Sequence, residues 1–189
     1  MSLGKSIVKF VSAFTFPLGK ELSLDLSMFD GKPGDFSTYL TRFNRKKRGN
    51  KVRKESVEYE RILKSVKLPQ LDRIESKGFR NEATRIFAWL RERGVEQILS
   101  VDVPDCLDQP HTDEEIVKCL GDIIIETLSW KKKDLPVQTL LKAVPQVQVL
   151  HLYSSGNQAV LSHWTSPVGL CLLQKVRLFR VILNRAEGY

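Results

Sequence analysis

Cysteine is scarce in this chain, and long apolar runs are lacking. The three cysteines, Cys106, Cys119 and Cys171, are odd in number and widely spaced. This pattern argues against a disulfide framework and indicates a reducing compartment. Cys119 and Cys171 stand among apolar neighbours, so both are expected to be buried. No apolar stretch reaches the roughly 18 residues that a membrane span needs, so no spanning helix is expected.

Paired metal ligands and phosphate-binding glycine loops are also lacking. His111, His151 and His163 do not form, with the cysteines, the short paired spacings of a zinc site. The segment Tyr153 to Asn157 lacks the Gly-x-x-x-x-Gly-Lys spacing of a nucleotide loop. Acidic residues cluster between Asp102 and Glu115, where they suit a helix start, with weak Ca²⁺ or ligand binding as the alternative. The sequence therefore predicts no enzyme, no cofactor and no metal.

The net charge of +8 is confined to the first part of the chain. Residues 1–78 hold 17 Lys and Arg against 9 Asp and Glu, whereas residues 79–189 hold 13 of each kind. We therefore expect a basic N-terminal extension over 1–78, partly helical and partly flexible, and a neutral domain over 79–189. Residues 5–16 suit an amphipathic segment packed on the domain, and a secretory signal is the alternative.

A run of cations lies within a turn-rich part of the extension. Its members are Arg42, Arg45, Lys46, Lys47, Arg48, Lys51, Arg53 and Lys54. Such a run is typical of a flexible loop, and it would also serve as a polyanion contact or a nuclear-import address. Phe43 is the only aromatic residue within it, so base stacking is not indicated. Beyond the run, Glu55 to Val66 has helix-compatible apolar spacing and is followed by Pro69.

From residue 79 onward, helix and strand patterns alternate. Strands are predicted at 95–103, 123–130, 147–153 and 176–183. Helices are predicted after an Asn81 cap, after a Thr112–Glu115 capping box, after an Asp134 cap and from Ser166–Pro167. Gly94 is expected to close the first of these helices in a left-handed conformation.

Comparable strand residues recur at a nearly constant interval. The separations between residues 98, 125, 150 and 179 are 27, 25 and 29 residues, which is typical of stacked strand–helix repeats. Leu150-x-Leu152 with Asn157 is similar to the leucine-rich-repeat signature. The predicted fold class is α/β: an open, mainly parallel sheet of repeated strand–helix units, leucine-rich-repeat-like, with helices on one or both sides.

Four ordered segments carry a family resemblance. They are Ile86–Leu99, Pro110–Ile116, Leu128–Leu135 and Leu150–Leu161. Together they resemble the non-catalytic region that precedes the subtilisin-like serine protease domain in large filamentous-fungal proteins, over about residues 79–185. The resemblance implies a regulatory or interaction domain whose partner is another protein or a covalently linked protease domain. The Asp, His and Ser blocks of that protease would lie downstream, so no catalytic residue is assigned here.

Residue type and position near the strand ends select candidate partner-contact residues. They are His111, Trp130, Tyr153, Asn157, His163 and Trp164. The leading prediction is a non-catalytic interaction or regulatory domain, cytoplasmic or nuclear, that recognises a partner through a sheet edge or through the loops after the strands. The alternatives are a nucleic-acid-associated protein that uses residues 42–54 and a secreted effector.

Overall fold

Seven strands form one sheet in the order in which they occur along the chain. The computed structural model describes residues 14–15, 23–27, 61–69, 80–106 and 109–183. The strands are β1 (Phe14–Thr15), β2 (Ser23–Asp25), β3 (Ile62–Lys67), β4 (Gln97–Val103), β5 (Ile124–Lys133), β6 (Val149–Ser154) and β7 (Leu178–Leu183). β1 and β2 are antiparallel, and every later pair of neighbours is parallel. The predicted open α/β sheet is confirmed.

Helices connect the later strands of the sheet. They are α1 (Arg80–Glu92), α2 (Asp113–Leu120), α3 (Val137–Ala143), α4 (Gln158–Thr165) and a 3₁₀ turn (Leu170–Leu172). Right-handed connections between adjacent parallel strands place successive helices on the same side of a sheet. The buried residues of the helices and of one sheet face form a single core. In the part of the chain that the structure describes, no helix combines the length and the apolar character needed to cross a membrane.

A shared apolar spacing explains why the strands stack. In β3 and the residue after it, Leu63, Val66 and Leu68 are buried. The same spacing recurs as Ile98, Val101 and Val103, then Ile125, Leu128 and Trp130, then Val147, Leu150 and Leu152, all buried. The strand register aligns the equivalent positions of β3, β4 and β5. This is the Leu-x-x-Leu-x-Leu spacing of leucine-rich repeats, so each unit buries its apolar side chains against the next.

Two predicted helix boundaries are confirmed by their local geometry. The backbone N–H of Glu115 donates to the Thr112 hydroxyl at 3.2 Å, and the Thr112 N–H donates to the Glu115 carboxylate at 2.7 Å. This reciprocal pair is the predicted capping box of α2. Gly94 follows α1 with φ +81°, a conformation that favours glycine because it has no Cβ.

The helix predicted from Glu55 to Val66 is wrong over its described part. Residues 62–67 form strand β3, which pairs in parallel with both β2 and β4. The sheet therefore extends across residue 78, where the charge distribution had suggested a boundary. The cationic run at 42–54 and most of residues 5–16 lie outside the described residues.

Two other local predictions are also corrected. In place of the α-helix predicted from Ser166–Pro167, the chain forms turns and the 3₁₀ turn Leu170–Leu172. The last α-helix of the described residues is α4, which begins after an Asn157 cap and ends before Ser166. Asp134 does not cap α3, whose N-cap is Pro136. Asp134 has φ +56°, and its carboxylate accepts a 3.0 Å hydrogen bond from the backbone N–H of Ser155. It therefore joins the end of β5 to the loop after β6.

The three cysteines differ in exposure: Cys119 is buried, Cys106 is partly exposed and Cys171 is exposed. Cys119 is buried as expected, and burial raises the pKa of its thiol to about 11. Cys171 is exposed, which corrects the prediction that its apolar neighbours bury it.

Candidate functional site

One face of the sheet carries the polar side chains that alternate with the core residues. On β3 and β4, for example, Val66 and Val101 are buried, whereas Lys67 and Asp102 are exposed or half-buried. Because successive side chains of a strand point to opposite faces, these polar residues lie on the face opposite the helices. Among the described residues no element packs over that face, which we call the open face.

The strand register arranges the open face in rows. The first row, from β2 to β7, is Ser23, Ser65, Ser100, Thr127, Val149 and Leu178. The second row is Asp25, Lys67, Asp102, Ser129, His151 and Arg180. Neighbouring strands lie about 4.8 Å apart, so each row spans about 24 Å. The first row is a series of hydroxyls that becomes apolar at β6, and the second carries charges of both signs.

Contacts within the second row fix the orientation of several side chains. The Ser129 hydroxyl donates to the Asp102 carboxylate at 3.1 Å and lies 3.0 Å from the Tyr153 hydroxyl. Lys67 lies 3.7 Å from the carboxylate of Asp25. Burial works to raise the pKa of Asp25, but the hydrogen bonds from the neighbouring Ser27 and the charge of Lys67 outweigh it, so that pKa is lowered. The row thus presents oriented hydroxyl groups and carboxylates to solvent.

Asp102, Ser129 and His151 occupy adjacent strands, and their order bears on catalysis. A nucleophilic serine needs a histidine that accepts its proton and a carboxylate that orients the histidine. Here the serine lies between the other two residues, and its hydroxyl donates directly to Asp102. The arrangement is therefore a hydrogen-bonded polar surface and does not have the order of a charge-relay triad.

A second polar cluster is buried where β4 ends. Asp105, His111 and Trp130 are 2%, 1% and 1% exposed. The Asp105 carboxylate lies 2.7 Å from Nδ1 of His111 and accepts the indole N–H of Trp130 at 2.8 Å. It also accepts the backbone N–H groups of Cys106 at 2.8 Å and of His111 at 3.1 Å. The His111 and Trp130 rings meet edge to face with centroids 5.4 Å apart.

This buried cluster has a structural role. Burial works to raise the pKa of Asp105, but hydrogen bonds and the charge interaction with His111, together with the Trp130 and Cys106 donors, lower it overall. An ionised carboxylate with four donors ties the chain before α2 to the middle of β5. With so little exposed area, the cluster offers no surface to a substrate.

The six predicted contact residues fall into two groups. His111, Trp130 and Trp164 are buried, and Nε1 of Trp164 donates to the backbone oxygen of Leu135 at 3.1 Å. Tyr153 is also largely buried, but its hydroxyl reaches the open face. Asn157 and His163 are exposed, and Asn157 caps α4 by accepting the N–H of Ala159 at 2.9 Å. The structure thus brings His111 and Trp130 together and leaves the other four apart from them.

The open face was not singled out by the sequence reasoning, although a signal for it exists. In β3, β4 and β5 the residues on both sides of the second apolar position of the repeat are polar, such as Ser65 and Lys67 on either side of Val66. An alignment of the repeat units on their apolar positions would have placed these flanking polar residues in rows across the sheet.

A shallow depression of about 410 Å³ adjoins the amino ends of β4 to β7. Four of its nine lining residues are glutamines: Gln97, Gln146, Gln148 and Gln174. The Gln97 amide donates to the carboxylate of Glu126 at 2.7 Å. Polar and apolar side chains therefore both line the start of these strands.

Neither metal ligands nor relatives identify the site further. Within the described ranges, no three His, Cys, Asp or Glu side chains come together in a way that could hold a metal ion. No protein-family model, curated protein or solved structure matches this chain.

Proposed function

We propose that this chain is a non-catalytic interaction domain that recognises a protein partner through the open face of its sheet. The observation that carries the proposal is the second row, which holds cationic, acidic and hydroxyl groups side by side over six strands. A surface of this kind offers donors and acceptors at a fixed spacing without any need for a loop to become ordered. Rigid presentation lowers the entropy cost of association.

The kind of partner is proposed from the sequence. Residues 79–185 resemble the region that precedes subtilisin-like protease domains in filamentous-fungal proteins, and such a region adjoins a protease in its parent protein. A subtilisin-like protease domain, linked or separate, is therefore the partner that we propose. The row of mixed charges supports orientation and selectivity at such an interface, because like charges brought face to face are costly.

The test compares charge reversals on the two sides of the sheet. Lys67→Glu changes an exposed residue of the open face, and Lys142→Glu changes an exposed residue of α3 on the helix side. Binding of the full chain to a recombinant fungal subtilisin-like protease domain is measured by surface plasmon resonance. Lys67→Glu is expected to weaken binding about ten-fold, and Lys142→Glu less than about two-fold.

The possible results separate the two parts of the proposal. Equal weakening by both variants would reject the open face as the interface. Absence of binding by the unmodified chain would reject the protease domain as the partner.

A further inference from the structure

The outer edge of β7 combines an open backbone with exposed apolar side chains. β7 is the last strand of the sheet and, among the described residues, pairs only with β6. Eight large apolar side chains are exposed in the described part of the chain, and four of them belong to β7: Leu178, Phe179, Val181 and Leu183. An edge strand of this type is a template for pairing with another extended segment.

The backbone groups available for pairing follow from the contacts with β6. The N–H of Leu178 donates inward to the backbone oxygen of Gln148 at 3.2 Å. Because the N–H and C=O groups of successive strand residues point to opposite sides, those of Phe179, Val181 and Leu183 point to the outer edge. The same three side chains lie on the helix face, since Phe179 and Val181 are in register with the buried Leu150 and Leu152.

The charged residues that the structure describes on β7 and just before it are all positive. Lys175, Arg177 and Arg180 lie on or just before β7, and the sequence contains no Asp or Glu from residue 135 to residue 183. Arg180 is exposed on the open-face side of the strand. If two copies met edge to edge, the cations of one copy would lie within about 10 Å, one Debye length, of the cations of the other. Residues 135–183 contain no carboxylate that could offset this repulsion. The edge is therefore suited to a partner of opposite charge.

We propose that the β7 edge binds an extended acidic segment of a protein partner, which adds to the sheet as a further strand. In this arrangement the partner backbone pairs with Phe179, Val181 and Leu183. Its apolar side chains cover the exposed Phe179 and Val181, and its carboxylates, which project from the other face of the added strand, lie beside Arg180. Backbone pairing supplies affinity and the alternating side chains supply selectivity, as in other cases of strand addition. Arg180 is also the last residue of the second row of the open face, so the two proposed surfaces share it. The outward backbone groups and the side chains of Phe179, Val181 and Leu183 do not belong to the open face, so Val181→Pro tests the edge separately.

The probe is a short synthetic peptide of alternating valine and glutamate with a fluorescent label, titrated with the full chain and followed by anisotropy. Two control peptides have lysine in place of glutamate or N-methyl groups on alternate backbone nitrogens. The glutamate peptide is expected to bind at least about ten-fold more tightly than either control, because each control removes charge attraction or backbone hydrogen bonds.

Two variants of the protein locate the binding. Val181→Pro removes an outward N–H, and proline is tolerated on an edge strand because no sheet hydrogen bond is lost. Arg180→Glu reverses the charge, and Lys142→Glu on α3 is its matched control. Val181→Pro and Arg180→Glu are each expected to weaken glutamate-peptide binding about ten-fold with an unchanged melting temperature, whereas Lys142→Glu leaves it within about two-fold.

Three results would overturn the proposal. The first is equal binding of the N-methylated peptide, which would show attraction by charge alone. The second is no binding of any peptide. The third is a concentration-dependent dimer in sedimentation velocity that Val181→Pro abolishes, which would assign the edge to a second copy of this chain.

Discussion

Replacement of Asp105 by asparagine tests the buried cluster at the end of β4. The carboxylate accepts from Nδ1 of His111, from the indole of Trp130 and from the backbone N–H groups of Cys106 and His111. Asparagine preserves the shape but converts one oxygen into an NH₂ donor. In one orientation that donor faces Trp130, and in the other it faces the backbone N–H of Cys106. At least one buried donor therefore loses its acceptor whichever way the amide turns.

The expected loss of stability follows from the number of these donors. An unsatisfied buried donor costs about 1–3 kcal/mol, and the lost charge weakens the remaining hydrogen bonds, so Asp105→Asn should destabilise the fold by about 2–4 kcal/mol. Urea unfolding followed by tryptophan fluorescence measures this as a lower midpoint with an unchanged slope. The control is Asp122→Asn, an exposed carboxylate in the turn after α2, which should stay within about 0.5 kcal/mol.

The same variant should change the pH dependence of stability. Because the pKa of Asp105 is lower in the folded chain, its carboxylate stabilises the fold at every pH above the unfolded pKa of about 3.9. That contribution is lost as the pH falls through the folded pKa. The difference between wild type and Asp105→Asn should therefore shrink below about pH 4. A destabilisation no larger than that of Asp122→Asn, or a difference that stays constant into acid, would refute this account of the cluster.

Three further measurements address the helix cap, the thiols and the basic run. Thr112→Ala should cost about 1 kcal/mol in urea unfolding, because it removes the acceptor of the Glu115 N–H; Thr112→Ser, which keeps that acceptor, should cost less than half as much. Native alkylation at pH 8 should modify exposed Cys171 and spare Cys119, whose pKa of about 11 and burial leave almost no accessible thiolate; rapid labelling of Cys119 would contradict its burial. If residues 42–54 bind polyanions, filter binding to duplex DNA should weaken steeply with added salt, and alanine substitution across the run should reduce that salt dependence; salt-independent retention would argue against this function.

The strands from β4 to β7 could be predicted because local and tertiary preferences agree there. Their β-branched runs favour extended structure, and the same side chains are the ones that the stacked units bury. The pattern fails at β3 for a physical reason. The helix prediction rested on Val57, Ile62 and Val66, and the four-residue step from Ile62 to Val66 fits one face of a helix. In the strand, Ile62 is exposed and Leu63 is buried beside Val66. Pairing with β4, which lies 35 residues away in register, decides in favour of the strand.

The candidate site was less predictable than the fold, because burial of aromatic residues depends on tertiary position. Trp130 was predicted to contact a partner by its residue type and its place near a strand end. It occupies the repeat position of Val103 in β4, so it points into the core, where its indole N–H is bound by Asp105. Asp134 shows a limit of prediction from the local sequence. Its φ of +56° directs its carboxylate to Ser155, a contact across 21 residues that cap rules do not describe.

The order of the strands has a consequence for how such a protein can change over time. Within the described ranges, every strand is hydrogen-bonded only to the strands that precede and follow it in the sequence. Folding can therefore begin at any adjacent pair and spread outward. A unit duplicated or lost at one end would leave the contacts of the others intact. Recognition surfaces of different length are thus accessible to this architecture through simple gain or loss of units, without redesign of the interior.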